Sequence, residues 1–307
     1  MTTPYRGALP DHGRFAYRPI TRRPVYRWPG GAGLAVYIGF NLEHFAFGEG
    51  LGAAIGPVSP PPDVLNHSWR EYGNRVGAWR CLKLFDALGL PTAALINTAL
   101  YDHCPELIEA FRARGDELVG HGHTNAERQG AFDEAIEREL LVRCRDRMRH
   151  GSGVAPRGWL SPWISEIWHT PDLLAETGYS YTLNWCHDDQ PMRMRTRDGR
   201  GLWAVPYPQE LNDVPMIVAR QMDAKDFAQM VIDQLDEMLE QARAQPLVMG
   251  IALHPYLVGQ PYRLRHLRRA LQQVASAREQ GAVWLTTPGA ICDHVAALAA
   301  ADPKAFE

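Results

Sequence analysis

The stretch Gly33-Leu-Ala-Val-Tyr-Ile-Gly-Phe-Asn-Leu42 decides the fold class. It is a short apolar run, the reading of a first buried strand. Residues 43–70 follow as a long Gly/Pro-rich loop, and loops of that length inside a compact domain are usually functional. Helices and strands then alternate. Tyr72 to Leu88 carries Val76, Trp79, Leu82 and Phe85 at helical spacing, ends at Gly89 and is closed by Pro91. Strands are expected over Thr92–Ile96, Glu117–Gly120, Gly158–Ser161, Tyr179–Asn184, Leu202–Val205, Leu247–Leu253 and Ala282–Thr287. Helices are expected over Glu106–Arg114, Phe132–Met148, Pro171–Thr177, Asp223–Ala244, Tyr262–Glu279 and Pro288–Leu298. Such alternation implies an α/β protein with a mostly parallel sheet and crossover helices. Seven or eight units fit a closed or nearly closed (β/α) barrel better than an open sheet. No linker or repeat divides them, so one domain is expected over 32–300. Residues 1–31, rich in Pro, Arg and Tyr, read as an extended arm lying on the barrel or on a partner subunit.

Bulk properties narrow the function. The 307 residues carry a formal charge of −3 and a pI near 6.5, which gives no electrostatic case for nucleic acid or an anionic membrane. No apolar run reaches the 18 or so residues of a membrane helix, and the first residues resemble no signal peptide. Cys81, Cys104, Cys144, Cys186 and Cys292 are odd in number and lack a CxxC spacing, so the expected compartment is the cytoplasm. Cys186 is either a nucleophile or a small packing residue.

In parallel barrels chemistry gathers at the C-terminal ends of the strands. Five polar clusters fall there: Asn41-Leu-Glu43-His44, Gly120-His121-Gly-His123-Thr-Asn125, Ser161-Pro-Trp163, Asn184-Trp-Cys-His-Asp188-Asp189, and His254. A histidine at one strand end is more often a hydrogen-bonded structural residue. Five clusters on one rim point to a shared pocket. Carboxylate, imidazole and amide together suit activating water and protonating a leaving nitrogen. No serine elbow, P-loop or dinucleotide fingerprint occurs. Trp163, Trp168 and Trp185 are candidates to stack on a planar substrate or to pack in the core. Arg263, Arg265, Arg268 and Arg269 read as the solvated face of a helix.

The motif order resembles the NodB-homology polysaccharide deacetylases, and within them the branch of metal-independent allantoinases and cyclic imide hydrolases. The carrying stretches are Arg70-Glu-Tyr-Gly-Asn-Arg-Val-Gly-Ala-Trp-Arg80, Gly115-Asp-Glu-Leu-Val-Gly-His-Gly122, Pro156-Arg-Gly-Trp159, Asp188-Asp-Gln-Pro191, Val205-Pro-Tyr207, Leu211-Asn-Asp213 and Leu253-His-Pro255. The resemblance implies a distorted seven- or eight-stranded barrel of that type, with His254 at the family's general-acid position. It also implies a first-strand acidic pair, one member the base and the other a metal ligand, and two histidine ligands spaced i, i+4. Here those positions read Asn41 with Glu43, and His121 with Asn125. Leu160 stands where the family has an Arg that pairs with the base. Base and partner are absent together, which argues for a reorganised site, since an unpaired buried Arg is costly.

A catalytic metal site needs three protein ligands. Glu43 and His121 remain, and His123 or His44 could supply the third of a rebuilt zinc or manganese site. The alternative is a site with no metal cofactor. The expected catalytic set is Glu43, His121 and His254, with Asn41, Arg75, Asn125, Trp163 and Asp189 binding substrate. The leading expectation is a hydrolase of a small cyclic amide, imide or ureide. The alternatives are a metal-dependent polysaccharide N-deacetylase or carbohydrate esterase, and a non-catalytic binding barrel. A homodimer or homotetramer is expected from the arm and the branch resemblance.

Overall fold

Residues Leu34–Leu42 form strand β1, and all nine are buried because strands flank both edges and side chains cover both faces. The computed structural model describes residues 11–306. Eight further strands join β1 in one sheet: β2 Ala93–Ile96, β3 Glu117–Gly120, β4 Gly158–Trp159, β5 Tyr181–Thr182, β6 Met192–Met194, β7 Leu202–Ala204, β8 Leu247–Leu253 and β9 Val283–Thr286. The hydrogen-bonded order is β6-β7-β5-β4-β3-β2-β1-β8, with β9 also on β1. Strand β8 runs along one edge of β1 from Leu34 to Phe40. On the other edge β9 pairs with Leu34–Tyr37 and β2 with Gly39–Leu42. All pairings are parallel except that of β6 with β7.

The sheet is a curled half-barrel ringed by helices, and the expected distorted barrel is borne out. Among the described residues no ladder joins β7 to β8. The seam between them is crossed by the segment after β7, which touches β8 through one parallel bridge, Asn212 to Ala252. The additional antiparallel strand β6, three residues over Met192–Met194, was not expected.

One expected element divides. The helix expected over Tyr72–Leu88 begins earlier, at Val64, capped by the Asp63 carboxylate accepting from the Asn66 N–H. It passes through a π-helical stretch at Gly73–Gly77 and resumes over Ala78–Leu88, where Gly89 closes it in the left-handed conformation. The loop after β1 therefore ends at residue 63. Helix Pro105–Ala113 packs its Phe111 ring on Phe40 of β1, and helix Ala78–Leu88 brings Phe85 against the same ring.

Residues 11–31 lie along this chain's own barrel. Arg14 makes a forked ion pair with Asp172 at 2.6 and 2.8 Å, Arg23 meets Asp188 at 2.5 Å, and Trp28 is buried with its indole N–H on the Leu247 carbonyl at 3.0 Å. Burial of Trp28 contributes on the order of 3 kcal/mol to seating this segment. Residues 1–10 of the expected arm lie outside the described residues. No helix among the described residues is long and apolar enough to cross a membrane.

Candidate active site

Five parallel strands end on one rim, and residues at or just past those ends line a cavity of about 180 Å3. From β1 come Asn41 and Glu43. The turn after β3 supplies His121 and Asn125, the turn after β4 Ser161 and Trp163. Tyr207 follows β7, and His254 and Tyr256 follow β8. The structure thus brings Asn41, Glu43, His121, Asn125, Trp163 and His254 together, as the strand-end reading expects.

Glu43 is the centre of this arrangement. Its Oε1 accepts a hydrogen bond from the Asn125 amide and lies 3.5 Å from both His121 Nε2 and His254 Nε2. Its Oε2 accepts the Tyr256 hydroxyl at 2.8 Å. Burial alone would raise the Glu43 pKa. The charge of His254, with both imidazoles close to the carboxylate, outweighs it and holds the carboxyl far below its ordinary range. Glu43 is therefore a carboxylate fixed by four neighbours, and a weak base.

The two imidazoles differ in their second nitrogen. His121 Nδ1 donates to the Leu160 carbonyl at 2.7 Å, which leaves Nε2 as the lone-pair nitrogen. That Nε2 is buried without a hydrogen-bond partner and faces the cavity. His254 Nδ1 instead meets the Asp213 carboxylate at 2.6 Å, and the His254 backbone N–H donates to the other Asp213 oxygen at 2.8 Å. Burial opposes the imidazolium, but Asp213 and Glu43 together raise the His254 pKa to about 10. His121 thus turns an unpartnered nitrogen towards the cavity, and His254 is set up as a charged donor.

Asn41 and Asn125 line the cavity with their amides engaged. Asn41 Nδ2 donates to the Tyr207 hydroxyl at 3.0 Å and the Leu253 carbonyl at 3.2 Å. Asn125 holds Glu43, and its Oδ1 accepts from Asn97 at 3.2 Å. Trp163 forms the outer wall with its indole N–H on the Asn125 carbonyl, and Arg128 lies over its ring at 5.5 Å.

Two expected substrate contacts are corrected. Arg75 is exposed on the π-helical stretch, outside this cavity, because Gly73 and Gly77 face the barrel and turn Arg75 away. Asp189 lines a different cavity on the far side of Tyr207. Three participants were missed: Asp213, Tyr256 and Asn97. Asp213 stood inside the Leu211-Asn-Asp213 motif and Tyr256 two residues after His254, which was the available signal. Asn97 directly follows β2, so the strand-end rule offered a signal for it too.

The donors do not fit a three-ligand metal centre. The position that the resemblance gives to a second imidazole is Asn125, whose N–H points at Glu43, so a donor faces the place where a cation would need a lone pair. His123 does not replace it. Strand β3 ends at Gly120, Gly122 takes φ +73°, and alternation is broken before His123, whose Nδ1 meets Thr98 Oγ1 at 3.1 Å outside the cavity. The rebuilt site of Glu43, His121 and His123 is thereby corrected. His44 stacks on His103, ring centroids 4.1 Å apart, and is likewise outside the cavity. Among the described residues no three His, Cys, Asp or Glu side chains converge as ligands.

No protein-family model matches the chain. The crystal structure of Puue allantoinase superposes with a TM-score of 0.81 at 26% identity, covering 97% of this chain and 99% of the other. That of a probable polysaccharide deacetylase from Pseudomonas aeruginosa PAO1 gives 0.78 at 27% identity, covering 88% and 93%. A candidate polysaccharide deacetylase of Schizosaccharomyces pombe is 26% identical over 306 residues, 89% of this chain and 92% of its own length. The expected likeness to polysaccharide deacetylases, with an allantoinase among the structural relatives, is borne out. The reaction class expected for this chain, hydrolysis of carbon–nitrogen bonds outside peptides, is the class of both named activities.

Proposed function

We propose that this barrel of the polysaccharide-deacetylase type hydrolyses a carbon–nitrogen bond of a small cyclic amide, imide or ureide, without a metal ion. The observation that carries the reading is the pair of buried histidines on either side of Glu43, one with a free lone pair and one locked to Asp213. His121 Nε2 takes the proton of a water that attacks the ring carbonyl. The carbonyl carbon becomes tetrahedral. His254 Nε2 then gives its proton to the departing nitrogen, and the ring opens to a carboxylic acid and an amine, amide or ureide. Glu43 lies between both imidazoles and, with Asp213, favours the charged form of His254. It does not itself collect the proton, because its two oxygens already accept two hydrogen bonds.

The cavity supports a small ligand. Its volume of about 180 Å3 is below the ~300–1,000 Å3 of ordinary drug-sized pockets. Phe45, Trp163, Tyr207 and Tyr256 give it flat aromatic walls suited to a planar ring. Among the described residues no Arg or Lys lines it.

The second reading is deacetylation of a polysaccharide. The names of the relatives favour it, and Trp163 at the mouth, backed by Arg128, is a surface on which a sugar ring could stack. One assay separates the two. Purified chain is offered hydantoin, dihydrouracil, succinimide, allantoin and N-acetylglucosamine oligomers, and ring opening and acetate release are followed. Turnover of a cyclic compound with no acetate released is expected. Acetate release alone would replace the first reading by the second, and no turnover of either class would favour a binding barrel. The same reading includes a cytoplasmic homodimer or homotetramer, which light scattering and cell fractionation test.

A further inference from the structure

Beside the catalytic cavity lies a larger one of about 490 Å3, formed where the barrel is left unclosed. Among the described residues no ladder joins β7 to β8, so the segment after β7 fills the upper seam and leaves a hollow below it. The floor is Met238 of helix Ala224–Gln241 and Val248–Gly250 of β8. The two cavities share two walls, Tyr207 and Gln209. Tyr207 is buried between them, and Gln209 is exposed on the ridge. A molecule with its reacting amide beside His121 can therefore extend over Gln209 into the seam.

We propose that the seam cavity is a subsite for the part of the substrate beyond the reacting amide, and that it takes an N–H-donating tail, an ammonium best. This rests on the reading of the small cavity as the hydrolytic site. The lining decides the chemistry. Besides Cys186, Tyr207 and His187, whose pKa burial lowers, its polar side chains are acceptors or amides: Asp189, Glu210, Gln209 and Gln234. Asp188 also lines it, but its charge is matched by Arg23 at 2.5 Å, whereas Asp189 and Glu210 have no ion-pair partner among the described residues. Among the described residues no Arg or Lys lines the cavity and the nearby Arg23 is engaged by Asp188, so a carboxylate tail finds no free counter-charge there. Apolar atoms of Leu211, Met238 and Val248 accommodate the methylenes that lead to such a tail. Asp189, which has no place in the catalytic cavity, acquires a contact with substrate by this route.

The test uses three rings and two surface variants. Hydantoin has no tail, 5-(3-aminopropyl)hydantoin has an ammonium, and 5-(2-carboxyethyl)hydantoin has a carboxylate. Binding is measured by calorimetry and turnover by ring opening. The ammonium-tailed ring is expected to bind at least about tenfold tighter than the carboxylate-tailed one, and tighter than hydantoin. Gln234→Trp, on an exposed helix face, should fill the hollow and remove the ammonium tail's advantage in KM, leaving kcat/KM for hydantoin within about twofold of the wild type. Asp189→Asn should remove most of the preference between the two tails. Equal binding of both tailed rings, or no binding of either, overturns the subsite. So does an equal loss on all three rings in Gln234→Trp. Absence of turnover with measurable, tail-dependent binding would instead count against the hydrolytic reading alone.

Discussion

His254 holds a proton through neutral pH because its Nδ1 side is closed by Asp213 and its Nε2 side faces Glu43. A histidine pKa raised from 6.5 to about 10 is fully charged below 6.5 and loses its proton as pH rises through about 10. Its stabilising contribution follows the same window, present below 6.5 and lost on the alkaline side. If His254 is the general acid, the alkaline fall of kcat/KM sets in near pH 10. Asp213→Asn removes one of the two charges that raise the pKa, so this alkaline limb moves down towards neutrality. An unmoved limb would remove His254 from the acid role. His254→Ala lowers kcat by about 10²–10⁴-fold with the thermal transition retained. A variant with wild-type kcat on the true substrate sinks the assignment. These residues were legible in different degrees. His254 announced itself at the end of an apolar strand. Its partner Asp213 lies 41 positions away and reaches it only because the segment after β7 crosses the open seam, which no local pattern encodes.

At the scale of elements, the Arg70–Arg80 motif shows how a correct signal can be read through the wrong residue. Its charged members were the natural candidates for binding, but its glycines make the contact. A Cβ at Gly73 would lie 2.8 Å from the Tyr256 backbone nitrogen, and one at Gly77 would overlap the Pro255 carbonyl. The π-helical stretch thus lies directly on the backbone that carries His254 and Tyr256. Gly77→Ala must push that backbone or the helix aside. A loss of kcat by about tenfold or more is expected, since small misplacements of acid–base groups are costly. Arg75→Ala, outside the cavity, should change kcat/KM less than about twofold. The opposite ranking would return Arg75 to the site. Helix Glu134–Ser152 offers an independent check on stability. Burial, with Glu166 nearby, raises the Glu137 carboxyl to about 7 against hydrogen bonds from Thr170 and Gln129, and its Oε2 has no partner. Its contribution is present below about pH 4.5 and lost as pH climbs through 7, by at most about 3 kcal/mol. Glu137→Gln should therefore flatten the dependence of Tm on pH between 5 and 8. It should also raise Tm at pH 8 by roughly 2–4 °C per kcal/mol gained. An unchanged slope in calorimetry would assign that dependence elsewhere.

For the whole molecule, apolar runs and their alternation with helices were enough to place a parallel barrel and its functional rim. The sequence did not encode where the barrel stays open. Strands β4 and β5 were expected but are shorter than read, two residues each, and their pairing partners are fixed only by the curl of the whole sheet. The same curl separates Asp189 from the other strand-end residues by placing it in the seam. On the proposed reading, two buried histidines around one carboxylate, with an amide at the position of a second metal-ligating imidazole, supply acid and base from side chains alone. The measurement that bears most directly on this is turnover of the cyclic substrate after exhaustive dialysis against a strong chelator, with elemental analysis of the same sample. Full kcat with less than stoichiometric metal is the result expected from Glu43, His121, Asn125 and His254 as arranged here. Activity lost on chelation and restored by zinc or manganese would contradict it.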